Sequence, residues 1–431
     1  MTSRKYTIGE LGKVVTGKTP STGKPEYWSG DYPFITIPDL SDLPYVEYSS
    51  RTLSESGAAA IKSQLLPGNS VLMSCIATIG KCGITTKPSF TNQQINAVIP
   101  NDKVNPLFLL YLFRNLGAEM TKYGSGGTVY SNISKSLFES IEVEIPESLN
   151  TQLAIANVLA SLDAKIAINK SLSKTLEEIA QTIFKSWFID FDPVKAKMAG
   201  EKPAGMDAAT AVLFPDSMEE SEIGLIPSGW NVKPAADLFE VGIGRTPPRK
   251  EPQWFCNGTE GIPWVSIRDM GTFETYSHGT NEGLTQAAVD KFKVPVVPEN
   301  TVLMSFKLTV GKLCISDTDL VTNEAIAHFK ISQNSPLNTF YTYLSLSNLD
   351  MGSLDSTSSI GTATNSGVIK QIRFLVPPQE LLGNFHNKVS PFFSQLKILR
   401  KQTTNLVLLR DALLPRLISG ELQIPNEMLA S

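Results

Sequence analysis

The residue pattern with the most obvious chemistry lies near the N-terminus. Residues 12–19 spell Gly-Lys-Val-Val-Thr-Gly-Lys-Thr, which fits the Walker A phosphate-binding motif. That motif binds phosphate only when a helix follows it, because backbone N–H groups and the helix dipole hold the anion. Here Pro20 follows at once, and the similar stretch at residues 244–247 lacks the first glycine. We therefore predict a turn at this position and not a nucleotide-binding loop.

The other reactive side chains form no catalytic or metal-binding pattern. The three histidines are scattered, and none has an acid or a nucleophile at motif spacing. The four cysteines include no Cys-x-x-Cys pair and suggest no disulfide framework. Cys75 and Cys82 stand where the second half of the chain has Phe306 and Leu313, so we expect them in a core. We predict no catalytic residue, no cofactor site and no metal site in this chain.

Two long helical segments must position whatever the chain binds. In residues 149–194, no glycine or proline precedes Pro193, and apolar residues recur in steps of three and four, close to the heptad step of a coiled coil. Asn169 falls in a gap of this seam, where a polar residue can fix the register of a helix pair. A similar pattern returns at residues 381–418. We predict an antiparallel pair, with Pro391 kinking or delaying the second helix.

The chain also contains an internal repeat. The tetrapeptide Val-Leu-Met-Ser at residues 71–74 returns at residues 302–305, an offset of 231 (302 − 71 = 231). Gly-Lys at residues 80–81 and Thr-Asn at residues 91–92 return at the same offset. Collinear matches at a nearly constant offset predict two related domains. Each combines short β-prone runs with turn residues, and residues 105–116 predict a buried helix opened by proline.

The predicted fold is α/β (α+β), with two tandem domains separated by two long antiparallel coiled-coil helices and related by pseudo-two-fold symmetry. The domains are residues 1–146 and 227–378. The first helix is residues 147–194, and residues 379–431 hold the second helix and a tail. Residues 195–226, rich in Ala, Pro, Gly and Glu, form a connector. Two related modules at the ends of a helix pair suit DNA, whose grooves repeat about every 34–36 Å.

Composition and charge narrow the class of protein. The net charge of −4 is not the basic balance of a protein that binds nucleic acid alone. Residues 379–420 carry 6 Lys+Arg against 2 Asp+Glu, so the second helix is the basic one. The sequence shows neither a run of 18 apolar residues nor the apolar core of a signal peptide. With so few cysteines, we expect a cytoplasmic protein that contacts no membrane.

Three stretches carry a resemblance to a known family. Residues 176–194 read LEEIAQTIFKSWFIDFDPV, residues 213–230 include LFPDS and SEIGLIPSGW, and residues 413–422 read LLPRLISGEL. They resemble the central and C-terminal segments of the specificity subunits of type I restriction-modification systems. The resemblance extends over essentially the whole chain.

The resemblance implies a sequence-specific DNA recognition subunit that performs no chemistry itself. Each α/β domain would be a target recognition domain that reads one half of a bipartite target in double-stranded DNA. The helix pair would set the spacing between the halves and dock two methyltransferase (modification) subunits. Partner subunits would hold S-adenosylmethionine, ATP and Mg, and two restriction subunits would join if the complex also cleaves DNA.

Comparison of the two halves sorts the candidate DNA-binding residues. Residues shared by both halves are expected to serve the scaffold or to contact phosphates, and residues that differ are expected to read bases. The phosphate candidates, each next to a glycine, are Lys18, Arg245, Lys81 and Lys312. The base-reading candidates are Lys24, Thr78, Lys122, Ser125, Arg249, Lys250, Arg268 and Lys307.

Four aromatic residues near the end of the first long helix are candidates for binding a partner subunit. They are Phe184, Trp187, Phe188 and Phe191. Contact with the second helix and the second domain of the same chain explains them equally well.

Three other functions stay open from the sequence. A stand-alone DNA-binding protein would need no partner, although the net charge argues against it. An enzyme would use the Walker-like segment as a nucleotide site. A non-catalytic scaffold would have duplicated domains that do not touch DNA.

Overall fold

A computed structural model describes residues 2–124, 132–307, 309–350 and 366–425. The chain divides into two compact units. The first unit contains Met1–Ser171 and Arg400–Ser431, and the second contains Leu172–Leu399. Each long helix is therefore divided between the units, with one part in each.

The first domain is built mainly from short strands. Its strands within the described residues are β1 (Ser3–Thr7), β2 (Gly12–Thr16), β3 (Trp28–Ile35), β4 (Tyr45–Val46), β5 (Arg51–Leu53), β6 (Val71–Ser74), β7 (Cys82–Thr85), β8 (Phe90–Thr91), β9 (Ile95–Pro100) and β10 (Glu142–Pro146). Its helices there are α1 (Ile8–Leu11), α2 (Glu55–Ala60), α3 (Pro106–Gly124) and α4 (Lys135–Ser140), with 3₁₀ turns at Pro25–Tyr27, Ile37–Asp39 and Lys62–Gln64.

The strands of the first domain form two sheets and a separate pair. One sheet has the order β2-β9-β6-β7-β4, the other has the order β5-β3-β8, and β1 pairs with β10. Neighbouring strands are antiparallel except β4 with β7 and β3 with β8. Val71 pairs with Val98 and packs in the core beneath α3, whereas the next residue, Leu72, faces a second apolar cluster. The central strands are thus covered on both faces, which explains their continuous apolar runs.

Helix α3 confirms the predicted buried helix and shows why it begins where it does. Asn105 caps it, because its side-chain oxygen accepts from the N–H groups of Leu107 and Phe108 at 2.9 and 3.2 Å. Pro106 occupies the first helical position, where its missing N–H costs nothing. The helix extends beyond the predicted residue 116 to Gly124.

The second unit contains the connector and the second domain. The strands described there are β11 (Met218–Ser221), β12 (Gly224–Pro227), β13 (Asn231–Pro234), β14 (Phe239–Ile243), β15 (Phe255–Asn257), β16 (Ile262–Val265), β17 (Glu282–Leu284), β18 (Val302–Ser305), β19 (Leu313–Ile315), β20 (Val321–Thr322), β21 (Ile326–Ile331) and β22 (Arg373–Val376). The helices described there are α6 (Asp192–Met198), α7 (Ala208–Val212), α8 (Ala235–Leu238), α9 (Ile267–Met270), α10 (Gln286–Phe292), α11 (Thr339–Ser347) and α12 (Ser366–Gln371), with a 3₁₀ turn at Pro252–Trp254. The connector therefore contains α7 and the β11-β12 hairpin.

The second domain repeats most of the strand order of the first, without a counterpart of β4 and with β15 as an additional edge strand. Its sheets have the orders β14-β21-β18-β19 and β15-β17-β16-β20, and β13 pairs with β22. The register is repeated too, because Val71 pairs with Val98 in the first domain and Val302 pairs with Phe329 in the second. The internal repeat and the α/β fold predicted from the sequence are confirmed.

The two long helices are α5 (Leu149–Phe188) and α13 (Gln379–Ile418), each 40 residues long. α5 ends before the predicted residue 194, because Phe191 has a φ of 55° and α6 starts afresh with Pro193 in its first turn. α13 continues through Pro391, so the expected delay at this proline was wrong. The buried side chains of Val389 and Phe393 on either side of it hold the helix in place.

The paired parts of the long helices form part of the core of each unit. In the first unit, Leu159 of α5 packs in one cluster with Leu414 and Leu417 of α13, and Asp163 binds Arg410. Because a higher number on α5 meets a lower number on α13, the pairing there is antiparallel, as predicted. In the second unit, the other parts of the two helices share a core.

A carboxylate on α5 fixes the helix to the first domain. The Asp163 side chain is 1% exposed and accepts hydrogen bonds from the Tyr111 hydroxyl at 2.7 Å, Arg114 Nη1 at 2.6 Å and Arg410 Nη1 at 2.9 Å. Burial, aided by the Asp163 charge, raises the pKa of Tyr111, so this hydroxyl stays a donor.

A second carboxylate on α5 fixes the second domain. The two oxygens of Glu177 accept from the Thr275 hydroxyl and the Tyr343 hydroxyl, both at 2.8 Å. Burial and the nearby Glu177 charge raise the pKa of Tyr343 well above its usual range.

Asn169 is buried in the seam of α5, where the sequence analysis placed it. It is 1% exposed, and its side-chain amide has no hydrogen-bond partner within the described ranges. Its proposed role in fixing the helix register stays a prediction.

The segment Leu149–Met198 is long and apolar enough to cross a membrane, by length and composition alone. In the structure, however, its residues Ile155, Leu159 and Phe184 are buried in protein cores. A core helix of a soluble protein meets the same criterion, so this similarity is weak evidence for a membrane span.

Candidate nucleic-acid interface

A glycine followed by a basic residue holds the first loop of the first domain against the end of a strand. Gly17 N–H donates to the Ile95 carbonyl at 3.1 Å, and Lys18 N–H donates to the Thr91 carbonyl at 2.9 Å. A Cβ on Gly17 would lie 2.1 Å from the Asn92 carbonyl oxygen, so only glycine allows this approach. The Lys18 side chain is left exposed.

The second domain builds the same turn. Gly244 N–H donates to the Ile326 carbonyl at 3.3 Å, and Arg245 N–H donates to the Thr322 carbonyl at 2.9 Å. The exposed Arg245 side chain donates from Nη1 to the Phe292 carbonyl at 3.1 Å. Both domains therefore use one backbone arrangement to present a cation.

The Walker-like segment does not have the structure of a phosphate-binding loop. Its first part is strand β2, and after Thr19 no helix begins before the 3₁₀ turn at Pro25–Tyr27. The helix that should hold phosphate is missing from this described segment. The expectation that no helix follows this segment at once is confirmed.

A tight turn after strand β6 returns after strand β18. The Ser74 hydroxyl accepts from Lys81 N–H at 2.9 Å and donates to the Thr78 carbonyl. The Ser305 hydroxyl accepts from Lys312 N–H at 3.0 Å in the same way. Each serine thus closes a loop that carries candidate DNA-binding side chains.

These loops meet at one place in the first domain. Cys75 N–H donates to the Gln94 carbonyl at 2.8 Å, and residues 91–94 also hold Lys18. The segments 17–19, 75–81 and 91–94 are therefore neighbours. In the second domain, Phe306 N–H makes the equivalent bond to the Ala325 carbonyl at 2.9 Å. From the sequence, the residues of these loops could only be divided into those shared by the two halves of the chain and those that differ. The structure shows that the loops lie next to one another.

Most predicted DNA-binding residues lie on the surface. The exposed ones are Lys18, Lys24, Thr78, Lys81, Arg245, Arg249, Lys250, Arg268 and Lys312. Lys307 is half-buried, with its Nζ 5.4 Å from the centre of the Phe306 ring. Lys122 lies on α3, but its side chain and the whole of Ser125 lie outside the described residues. Contact of these residues with DNA stays a prediction.

Two side-chain hydrogen bonds brace the loop at residues 21–28. Lys24 Nζ donates to the Tyr27 hydroxyl at 3.2 Å, and this bond raises the pKa of Lys24. Trp28 Nε1 donates to the Ser21 carbonyl at 3.4 Å. The loop therefore presents a charged lysine on a braced turn.

Arg51 is an exposed cation of the first domain that the loop comparison missed. It lies on strand β5, outside the loops that differ between the halves, and its guanidinium carbon lies 3.7 Å from the centre of the Trp28 ring. The repeat offset could have found it, because Arg51 stands 231 residues before Glu282 (282 − 51 = 231) and the two have opposite charges.

The structure corrects the prediction for the aromatic end of the first long helix. Phe184, Trp187 and Phe188 are buried in the core of the second unit, where all three rings contact Phe385. Phe191 is half-buried and packs edge-on against the Trp230 ring of the same chain. A buried ring has no surface to offer a partner, so Phe184, Trp187 and Phe188 act as internal packing residues. A partner contact of Phe191 stays a prediction.

Other apolar side chains on the long helices do face solvent. Each is between 40% and 64% exposed: in the first unit Leu149, Leu153, Ile168, Leu408 and Leu409, and in the second unit Leu172, Ile179 and Ile398. Unpartnered apolar side chains at helical spacing are typical of an interaction surface.

The buried reactive groups are poorly suited to attack a substrate. Burial raises the pKa of Cys75 to about 11 and of Cys82 to about 12, which keeps both as thiols, and both lie in the core as predicted. Burial lowers the pKa of His328 to about 4, and its Nε2 lies 2.6 Å from the Thr322 hydroxyl. In the parts of the chain that the structure covers, no three His, Cys, Asp or Glu residues group as metal ligands.

Comparison with known proteins agrees with the duplicated architecture. The family model described as the type I restriction modification DNA specificity domain matches the chain twice, over residues 2–178 and 227–405. The MjaIX specificity subunit, from a type I restriction enzyme of Methanocaldococcus jannaschii, is 30% identical over 427 residues, covering 97% of this chain and 93% of the relative. The HindI specificity subunit of Haemophilus influenzae is 26% identical over 472 residues, covering 97% of this chain and 99% of the relative.

One solved structure supports the fold. The type I restriction-modification S subunit from M. genitalium superposes with a TM-score of 0.53 at 15% identity, covering 97% of this chain and 96% of that one.

Proposed function

The chain belongs to the family of type I restriction-modification DNA specificity subunits, and we propose that each of its two domains reads one half of a bipartite DNA sequence. DNA recognition is the function of such a subunit. The observation that carries the proposal is the duplication itself. One backbone framework, seen at Gly17 and Gly244 and at Ser74 and Ser305, presents different exposed side chains in the two domains.

This division of roles follows from how proteins recognise DNA. Phosphate contacts fix position and carry no sequence information, whereas side chains that reach base edges specify sequence. Lys18 and Arg245 share the same backbone turn and the same charge, so they suit phosphates. The loops around Lys24 and Arg249 differ between the domains, so they suit the two different half-sites.

The long helices set the distance between half-sites and dock the modification subunits. A specificity subunit works together with other subunits of the restriction-modification system. The exposed apolar residues on α5 and α13, such as Leu153, Ile168 and Leu408, are the surface we assign to two methyltransferase subunits. Those partners supply S-adenosylmethionine, and ATP and Mg belong to two restriction subunits if the complex cleaves. We place the assembly in the cytoplasm.

The net charge favours a subunit over a stand-alone DNA-binding protein. With a net charge of −4 the chain has no overall excess of cations for binding DNA phosphates. Partners that close around DNA would supply the remaining contacts. The basic α13, with 6 Lys+Arg against 2 Asp+Glu in residues 379–420, is suited to an acidic partner surface or to DNA itself.

A binding experiment tests this proposal. We expect the chain alone to shift DNA only weakly, and the chain with its methyltransferase subunit to bind one bipartite sequence at least 10³-fold more tightly than unrelated DNA. The measurement is a gel shift at a fixed salt concentration, with the methyltransferase subunit alone as the control. Tight, sequence-specific binding by the chain alone would instead support the stand-alone protein.

A further inference from the structure

The first domain places an arginine on a pair of aromatic rings. Trp28 and Phe34 meet edge to face, with centroids 5.3 Å apart. The Arg51 guanidinium carbon lies 3.7 Å from the centre of the Trp28 ring and 5.9 Å from that of Phe34. A guanidinium that stacks on an aromatic ring keeps its planar set of N–H donors available for a ligand.

The second domain has the same pair of rings and also covers it with an arginine. Phe255 and Trp264 meet edge to face at 5.9 Å. The Arg249 guanidinium carbon lies 4.4 Å from the centre of the Phe255 ring and 4.5 Å from that of Trp264. The arrangement of arginine and rings is therefore present in both domains.

The two arginines cover equivalent pairs of rings but occupy different positions in the internal repeat. Arg51 pairs with Phe34 across strands β5 and β3, and Glu282 pairs with Trp264 across strands β17 and β16. Glu282 is thus the structural equivalent of Arg51. Arg249 comes instead from the loop before the 3₁₀ turn at Pro252–Trp254. Two domains that place the same group by different routes indicate that the group is needed there.

The charge around the two arginines differs. Arg249 Nη1 donates to both oxygens of Glu282 at 2.8 Å. Arg51 is exposed, and within the described ranges no carboxylate or other acceptor binds its guanidinium. A guanidinium has five N–H donors, so Arg51 offers a complete fork to a ligand.

Arg51 also lies beside the predicted interface. Its ring partner Trp28 donates to Ser21 at the start of the loop that carries Lys24. Within the proposed function, the ligand at this surface is DNA. The acceptor pair that matches an arginine fork in the major groove is O6 and N7 of guanine.

We propose that Arg51 reads a guanine in the half-site of the first domain and that Trp28 presents it edge-on. This inference rests on the proposed function, because it needs DNA at the loop face. It adds Arg51, which the sequence did not single out, and assigns the base that it recognises.

The test uses the whole specificity and methyltransferase complex on its own recognition sequence. We compare wild type with R51A and R51K, and each guanine of the first half-site is replaced in turn by 7-deazaguanine, which lacks the N7 acceptor. We expect R51A to weaken binding about 10- to 100-fold. R51K keeps the charge but lacks the planar fork, so we expect it to lose most of the discrimination against other bases at that position.

A single guanine of the first half-site should be the base that Arg51 contacts. Its replacement by 7-deazaguanine should weaken binding by wild type and leave binding by R51A unchanged. The matched control is R4A, because Arg4 is also exposed and lies over a ring, with its guanidinium carbon 5.3 Å from the centre of Tyr6. It lies on the β1-β10 pair, and we expect its loss to leave every base preference intact. Unaltered selection of the second half-site by R51A shows that the variant complex is folded.

Several results would overturn the inference. The first is a recognition sequence whose first half-site contains no guanine. The second is an R51A complex that loses affinity equally for specific and for unrelated DNA. The third is an R51A complex whose base preferences equal those of wild type. Equal weakening would identify a phosphate contact. A wild-type complex that selects no bipartite sequence contradicts the proposed function and this inference with it. A wild-type complex with two clear half-sites that are unchanged in R51A contradicts the inference about Arg51 alone.

Discussion

Replacing Asp163 with alanine should remove about 3–5 kcal/mol from the free energy of unfolding of the first unit. The Asp163 side chain is 1% exposed and binds Arg114, Arg410 and the Tyr111 hydroxyl. Its loss removes the buried counter-charge of two partly buried arginines, and Arg410 keeps only the exposed carboxylate of Asp411. Breaking such a cluster costs more than the pair contributes when intact. Since Asp163 joins α5 to both α3 and α13, the destabilisation should spread through the first unit.

Hydrogen-exchange mass spectrometry measures this effect, because it separates peptides of the first unit from those of the second. The control is Asp411→Ala, which removes an exposed carboxylate from the same Arg410. We expect this control to change the opening free energy by less than about 1 kcal/mol. Asp163→Asn keeps acceptors for hydrogen bonds and should have an intermediate effect. A loss below about 1 kcal/mol in Asp163→Ala would show that the cluster does not hold the unit together.

Inserting seven residues into both long helices should lengthen the spacer between half-sites. The insertions belong at the borders of the units, after Ser171 in α5 and after Leu399 in α13. Seven residues preserve the heptad seam, and at 1.5 Å per residue they add about 10 Å of helix. At 3.4 Å per base pair, this is at most about three base pairs. The bases within each half-site should stay the same.

Sequencing that detects methylated bases measures the spacer length directly. The matched control carries the same seven residues at the tip of the β11-β12 hairpin, between Glu222 and Ile223, outside the helix pair. This control should keep the original spacer. A helix-insertion variant that methylates DNA with an unchanged spacer would contradict the role of the helices in setting the distance.

The repeat made most of the fold predictable. In the central strands, residues that are 231 positions apart occupy equivalent places in the two domains. Val71 therefore corresponds to Val302, and their strand partners Val98 and Phe329 correspond as well. The helix ends were less predictable. The first long helix stops where Phe191 adopts a left-handed backbone, and the second passes through Pro391 because packing on both sides outweighs one lost hydrogen bond.

The candidate site was predictable in part. Exposed cations next to glycine, such as Lys18 and Arg245, follow from turn chemistry that is visible in the sequence. The role of Phe184 and Trp187 did not follow, because an apolar helical stripe does not reveal whether it faces its own chain or a partner. Arg51 was missed because the loop comparison did not apply the offset to the strands, and because its shared place with Arg249 over a pair of rings exists only in the folded domains.

The most direct test of the central claim is an exchange of residues 1–146 for the equivalent domain of another specificity subunit. The hybrid is expressed with its methyltransferase subunit, and methylated bases are mapped across a genome. We predict that one half of the methylated sequence changes to that of the donor, while the other half and the spacer stay as in wild type. A hybrid that changes both halves, or neither, would contradict the claim that each domain reads one half-site.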